Sequence, residues 1–196
     1  MSKIVVFEGA DRCGKATQSE LLKQHIKNLG MSVAIIEVPI RSAVTYKIIY
    51  WMLQNGLAKK FPYIFQIFQF ANRKFFEWTK LSRLEADNDV IILDRWSLST
   101  IVYGGAEGVS HKFTVGLSKF LRQPDHTFIL LGEAFPHAAE DVYEADLELQ
   151  EKVREGYAIW AMNNSSSCSL MDCRQEKKIL SKKIQTILVK KNIILA

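Results

Sequence analysis

Short apolar runs alternate with longer stretches of helical spacing along the whole chain. The runs are KIVVF at 3–7, SVAIIEV at 32–38, DVIILD at 89–94, HTFILL at 126–131 and SCSLMD at 167–172. The first four are rich in β-branched residues and read as continuous apolar runs, the pattern of strands covered on both faces in a parallel sheet. Between them, 15–29, 43–55, 62–86, 97–122, 141–162 and 174–191 carry helix-forming composition or apolar residues at helical intervals. Strand runs alternating with helical stretches predict an α/β fold, one parallel sheet with helices on both sides. No internal repeat interrupts the pattern, and the only low-complexity stretch is the turn Asn163 to Ser167. A single domain over 1–196 is expected.

Composition narrows the class. The 196 residues are enough for one cored domain, and 48% apolar with 24% charged is the balance of a soluble protein with no membrane span. The apolar run after the start ends at Glu8, too short for a signal-peptide core, and Cys13, Cys168 and Cys173 show neither metal-ligand nor disulfide spacing. A cytoplasmic protein with free thiols is expected. The net charge of +5 is spread out, apart from Lys177, Lys178, Lys182, Lys183, Lys190 and Lys191 near the C-terminus. No aromatic residue is interleaved with those lysines, so they read as a solvated helix face and not as a nucleic-acid surface.

The candidate chemistry begins directly behind the first strand, at Gly9-Ala10-Asp11-Arg12-Cys13-Gly14-Lys15-Ala16-Thr17. Glycines at both ends let such a loop wrap an anion with its backbone N–H groups. The helix that opens behind it adds the positive end of its dipole, and Lys15 can reach terminal phosphates. This is the phosphate-binding P-loop in its required context. It departs at one position, where Ala16 stands in place of the Ser or Thr whose hydroxyl would ligate Mg²⁺. Asp94 and Arg95 lie just past the third strand, at the carboxyl edge where open α/β sheets bind ligands. A carboxylate there can hold the Mg²⁺ of a nucleotide, and the arginine beside it favours a phosphate site.

The run FEGADRCGKATQ at 7–18 closely resembles the FEGxDxxGKxTQ opening of thymidylate kinases. VPIRS at 38–42 is similar to that family's acceptor-phosphate turn, FANR at 70–73 to its base-binding helix, DRWSLSTIVYGG at 94–105 to its DR-aromatic segment, and DVYEADLELQEKVREGY at 141–157 to its lid and the helix after it. The resemblance implies a three-layer P-loop fold with a five-stranded parallel sheet in the order 2-3-1-4-5, a lid near 133–142, and a homodimer. It also implies the reaction, transfer of the terminal phosphate of ATP, with Mg²⁺, onto dTMP.

Phosphoryl transfer of this kind needs cations around the gap between the two phosphates. Arg12 and Lys15 from the loop and Arg95 from the third strand supply them, and the lid segment 133–142 contains no Lys or Arg. The resemblance assigns Arg41 to the acceptor phosphate, Asp11 to the sugar 3′-hydroxyl, Tyr103 to exclusion of ribonucleotides, and Arg73 to a base carbonyl. It also puts Ser99 and Tyr143 in the acceptor site. Gln69 stands where the family carries the aromatic that stacks on thymine, and Gly104 where many members have a polar side chain. Phe68 and Phe70 flank Gln69 at about 100° to either side on a helix and read equally well as core. The rival readings are a kinase of another pyrimidine, dUMP above all, since one methyl gives only about 1–3 kcal/mol of discrimination, and a nucleotide-binding protein without catalysis, suggested by Ala16.

Overall fold

The computed structural model describes residues 2–11, 13–132 and 146–195. Five strands, β1 (Lys3–Gly9), β2 (Val33–Glu37), β3 (Val90–Asp94), β4 (His126–Leu131) and β5 (Cys168–Asp172), form one sheet in the order β2-β3-β1-β4-β5. All pairings are parallel. The central strands β1, β3 and β4 are buried along almost their full length, as the uninterrupted apolar runs require, whereas the edge strand β2 is only half-buried.

The helices are α1 (Lys15–Asn28), α2 (Val44–Gln54), the single turn α3 (Leu57–Lys60), α4 (Pro62–Phe76), α5 (Ser82–Asp87), α6 (Ser97–Ala106), α7 (His111–Ser118), α8 (Leu147–Asn163) and α9 (Lys177–Lys190). On one face of the sheet, α1 and α9 pack Leu22, Ile26, Leu180, Ile184 and Leu188 against Val5, Phe7 and Phe128. On the other, α2, α4, α6 and α8 meet around Ile49, Phe65, Ile101, Val153 and Tyr157. A third cluster ties Phe76 and Trp96 to Ile4, Val6 and Ile91.

Two predicted helices differ from what forms. The stretch 62–86 is α4 and α5 joined by one π-helical turn, Glu77–Leu81. The stretch 97–122 breaks into α6 and α7 where Gly108 takes φ 80°, a conformation side-chain-bearing residues rarely adopt. The predicted helix 141–162 is described from Leu147 onward; the expected lid, 133–142, lies outside the described residues.

The register brings the chemistry together. Phe7 pairs with Asp94 across β1 and β3, and Arg95 N–H donates to the Phe7 carbonyl at 2.9 Å. The loop after β1 and the Asp94-Arg95-Trp96 turn after β3 therefore leave the sheet side by side at its carboxyl edge.

Candidate active site

The phosphate loop is shaped by its glycines. Gly9 has φ 137°, and a Cβ there would lie 2.1 Å from the Leu130 carbonyl oxygen on β4, so no side chain fits. Gly14, at φ 77°, is the left-handed residue from which α1 starts. Lys15, the first residue of α1, is buried and folds back over the loop, its Nζ donating to the Ala10 carbonyl at 2.9 Å and to Gly9 at 3.4 Å. Burial, helped by the neighbouring charge of Arg95, lowers its pKa. The loop thus encloses a cation held by its carbonyl dipoles, with the Asp11 and Asp94 carboxylates nearby favouring the charge.

Beside the loop, three side chains interlock. Arg95 forms a salt bridge with Asp11, the Tyr103 hydroxyl donates to the other Asp11 oxygen at 3.1 Å, and the Arg95 guanidinium lies 5.3 Å from the centre of the Tyr103 ring. Burial would raise the Asp11 carboxyl, but Arg95, Lys15 and the Tyr103 hydroxyl outweigh it and hold the group below its ordinary value. Burial likewise opposes the charge on Arg95, yet Asp11 more than restores it, so the guanidinium is a fixed cation. Arg95 itself sits at φ 68°, a strained value for an arginine.

Glu8 holds that turn in place. It is fully buried and accepts from Trp96 N–H at 2.7 Å, Ser99 N–H at 3.1 Å, Ser99 Oγ at 2.6 Å and Tyr157 Oη at 2.8 Å. One carboxylate at the end of β1 therefore accepts from the cap residue of α6 and from Ser99 in its first turn, and anchors α8.

A cleft of about 510 Å³ opens on this assembly, between α2, α4 and α6. Asp11, Arg41, Gln69, Arg73, Arg95, Ser99 and Tyr103 all line it. Arg73 is buried, its Nε donating to the Trp96 carbonyl at 3.0 Å and its Nη1 to the Gln69 carbonyl at 2.9 Å and to Gln69 Oε1 at 3.0 Å. Burial lowers its pKa to about 10, with Glu8 acting in the opposite direction, so it stays cationic at neutral pH. Arg41 is exposed and donates to Glu37 at 3.1 Å. The turn that carries it is clamped by buried Asn72, which accepts from Ile40 N–H at 2.6 Å and donates to the Ile40 carbonyl at 3.2 Å.

Asp94 is the candidate metal ligand. Burial raises its carboxyl above the ordinary value, and Lys15 and Arg95 offset part of that. A half-buried carboxylate beside a phosphate loop is a donor that would hold the Mg²⁺ of a bound nucleotide, which would screen the phosphate charge there. Among the described residues no cluster of three or more His, Cys, Asp or Glu could enclose an ion by itself. Ala16 is exposed on the first turn of α1 and offers no oxygen.

The family profile described as thymidylate kinase matches residues 7–184. The chain belongs to the thymidylate kinase family. A thymidylate kinase of Chlamydia felis is 29% identical over 198 residues, covering 93% of this chain and 95% of the relative. One of Plasmodium falciparum is 27% identical over 167 residues, covering 81% and 77%. The solved structure of the Candida albicans thymidylate kinase shares the fold at a TM-score of 0.80, with 23% identity and coverage of 98% of this chain and 93% of that one. Membership makes the chain a transferase, an ATP-using kinase that phosphorylates dTMP in nucleotide synthesis. No helix among the described residues is long and apolar enough to cross a membrane.

Of the residues expected in this thymidylate kinase's acceptor site, Tyr143 lies outside the described residues, as does the loop cation Arg12. The others converge on one cleft, though Gln69 enters it in a different way from a stacking aromatic, with its amide engaged by Arg73. Phe68 and Phe70 pack into the second and third hydrophobic clusters. The position of Gly104 has a packing reason: a Cβ there would come within 2.9 Å of Thr114 Cγ2 and 3.3 Å of Gln66 Cγ. Sequence reasoning missed Glu8 and Asn72 as positioning residues. For Glu8 the signal was a polar residue closing the apolar run KIVVFEG; Asn72, between Ala71 and Arg73, carried no comparable signal.

Proposed function

We propose that this kinase seats MgATP on the loop 9–17 and carries its γ-phosphate in line onto the 5′-phosphate of dTMP held in the α2–α4–α6 cleft. The observation that carries this reading is the convergence on one cleft of Asp11, Arg41, Arg73, Arg95 and Tyr103, next to the mouth of the phosphate loop. In it, Gly9, Ala10, Asp11, Arg12, Cys13, Gly14, Lys15, Ala16 and Thr17 form the ATP cradle, and Lys15 exchanges its loop carbonyls for phosphate oxygens. Arg12, Lys15 and Arg95 neutralise charge on the transferred group, in a reaction that asks for positioning and electrostatics more than covalent help. Arg41 grips the acceptor phosphate with its planar fork. Asp11 and Tyr103 face the sugar, and Gln69, Arg73, Ser99 and Tyr143 complete the nucleoside site. Mg²⁺, when bound, screens the phosphates and is held by Asp94. The lid at 133–142 closes over the donor and excludes water, and the whole chain acts as one domain.

Ile64, Ile67 and Phe75 follow helical spacing on α4 and are each more than 40% exposed, and Trp51 of α2 is 57% exposed. Such an apolar surface supports a homodimer. Three buried free thiols, Cys13, Cys168 and Cys173, support a cytoplasmic location.

Release of ADP with dTMP, dUMP, dCMP, UMP, AMP and GMP as acceptors tests the reading. dTMP is expected to give the highest kcat/KM, and AMP or GMP in that place would refute it. Arg73→Ala should raise the KM for dTMP by at least tenfold while the KM for ATP stays within about twofold, a split that steady-state kinetics measures directly. Equal effects on both substrates would remove Arg73 from the acceptor site.

A further inference from the structure

We propose that Gln66 reads the imide edge of the acceptor base, its carboxamide pairing with N3–H and one flanking carbonyl of the pyrimidine. The inference rests on the acceptor reading of the cleft. Gln66 lies on α4 one turn before Gln69 and two turns before Arg73, and it lines the same cleft. It is only 1% exposed, yet its Nε2 has no hydrogen-bond partner among the described residues. A buried amide donor left without an acceptor opposes folding, and native proteins keep such groups chiefly where a ligand or water completes them.

The neighbouring polar groups are already engaged. Gln69 Oε1 accepts from Arg73 at 3.0 Å, Ser99 Oγ donates to Glu8 at 2.6 Å, and Tyr103 donates to Asp11 at 3.1 Å. Of the residues lining the cleft, Gln66 alone carries a buried side-chain polar atom left unmet among the described residues. Its place depends on Gly104, since a Cβ at 104 would lie 3.3 Å from its Cγ and 3.5 Å from its Cδ. The bare backbone at 104 and the amide at 66 are therefore two halves of one arrangement, in which α4 brings the polar group to the base.

The chemistry of the edge matches. A carboxamide offers one N–H donor and one carbonyl acceptor side by side, and the N3–H of thymine with a flanking carbonyl offers the complement, so two hydrogen bonds close a ring. Uracil has the same edge, so Gln66 selects the imide and leaves the 5-methyl group unread. A site built to pair a substrate N–H discriminates strongly against an analogue that lacks it, because its own buried group is then left unmet.

The test pairs a variant with a substrate analogue. Wild type and Gln66→Met are compared on dTMP and on N3-methyl-dTMP, with the melting temperature of each protein recorded. Wild type should use the methylated nucleotide at least tenfold less well. Gln66→Met should lose at least tenfold in kcat/KM for dTMP through the acceptor KM, keep its ATP KM, and discriminate much less between the two nucleotides. Equal discrimination by both enzymes overturns the proposal, because a merely structural glutamine would weaken both acceptors together. Equal use of the two nucleotides by wild type overturns it without any variant. Should Gln66→Met fail to fold, Gln66→Asn, which retracts the amide by one carbon, replaces it with the same criteria. Failure of wild type to phosphorylate dTMP would count against the acceptor reading itself and is distinguishable from every outcome above.

Discussion

Arg95→Ala is expected to slow phosphoryl transfer by about 10³ or more, which is roughly 4 kcal/mol of transition-state stabilisation. Arg95 is the largely buried cation that stands between the phosphate loop and the acceptor cleft, fixed by Asp11, by Tyr103 and by a strained backbone. Fixed charge aimed at a reacting phosphate acts on the transition state more than on either bound substrate. The loss should therefore appear in the single-turnover rate at saturating ATP and dTMP, while the affinity for ATP, measured by binding, shifts by less than about tenfold, since Lys15 and the loop amides remain. Arg95→Lys should recover little, because an ammonium cannot span Asp11 and a phosphate as a planar fork does. A single-turnover rate within threefold of wild type for Arg95→Ala would remove Arg95 from catalysis.

The second large effect is on stability. Glu8→Ala removes the acceptor of four hydrogen bonds from Trp96 N–H, Ser99 N–H, Ser99 Oγ and Tyr157 Oη, all inside the protein. Two buried backbone donors are orphaned, and the negative charge that faces Arg73 and Arg95 disappears. Each unmet buried donor costs about 1–3 kcal/mol and a cavity adds to it, so a loss of about 4 kcal/mol is expected, a large share of a typical 5–15 kcal/mol. Glu8→Gln keeps one carbonyl for the two N–H groups, and the hydroxyls of Ser99 and Tyr157 can turn to accept from its amide; its loss should be less than half as large. Urea unfolding of the two variants checks the order and the size. A loss below about 1 kcal/mol for Glu8→Ala would mean that the α6 N-terminus is held by something else.

The fold was legible because its central strands are buried on both faces. KIVVF, DVIILD and HTFILL carry polar residues only at their ends, and they became β1, β3 and β4 within a residue or two of their expected bounds. Helix interruptions were less legible. Nothing in EWTKL distinguishes a π turn from an α turn, since its composition is helical either way and tertiary packing decides the hydrogen-bond step. The break at Gly108 carried a local signal, a glycine in a positive-φ turn, masked by helical spacing on both sides of it.

The site divided along the same line. The loop glycines and Lys15 follow from local chemistry, because a tight anion-binding turn demands those residue types at those spacings. Arg41, Arg73 and Tyr103 are far apart in sequence, and only the resemblance to thymidylate kinases joined them before the structure brought them to one cleft. The positioning role of Glu8 and the packing of Gln66 against Gly104 escaped both routes, although the resemblance had marked position 104 itself. A polar residue closing an apolar run marked Glu8 as unusual, but what each of these residues faces across the fold, a helix terminus for Glu8 and each other for the remaining two, is fixed by packing between elements.

The most direct measurement of the central claim follows the phosphorus atom itself. ATP made chiral at the γ-phosphate with oxygen isotopes is turned over with dTMP, and the configuration of the transferred phosphate in dTDP is determined. A single in-line displacement in one ternary site predicts inversion at phosphorus with dTDP as the product. Retention would require two displacements through a phosphorylated side chain, and that result, or the absence of dTDP, would contradict the account.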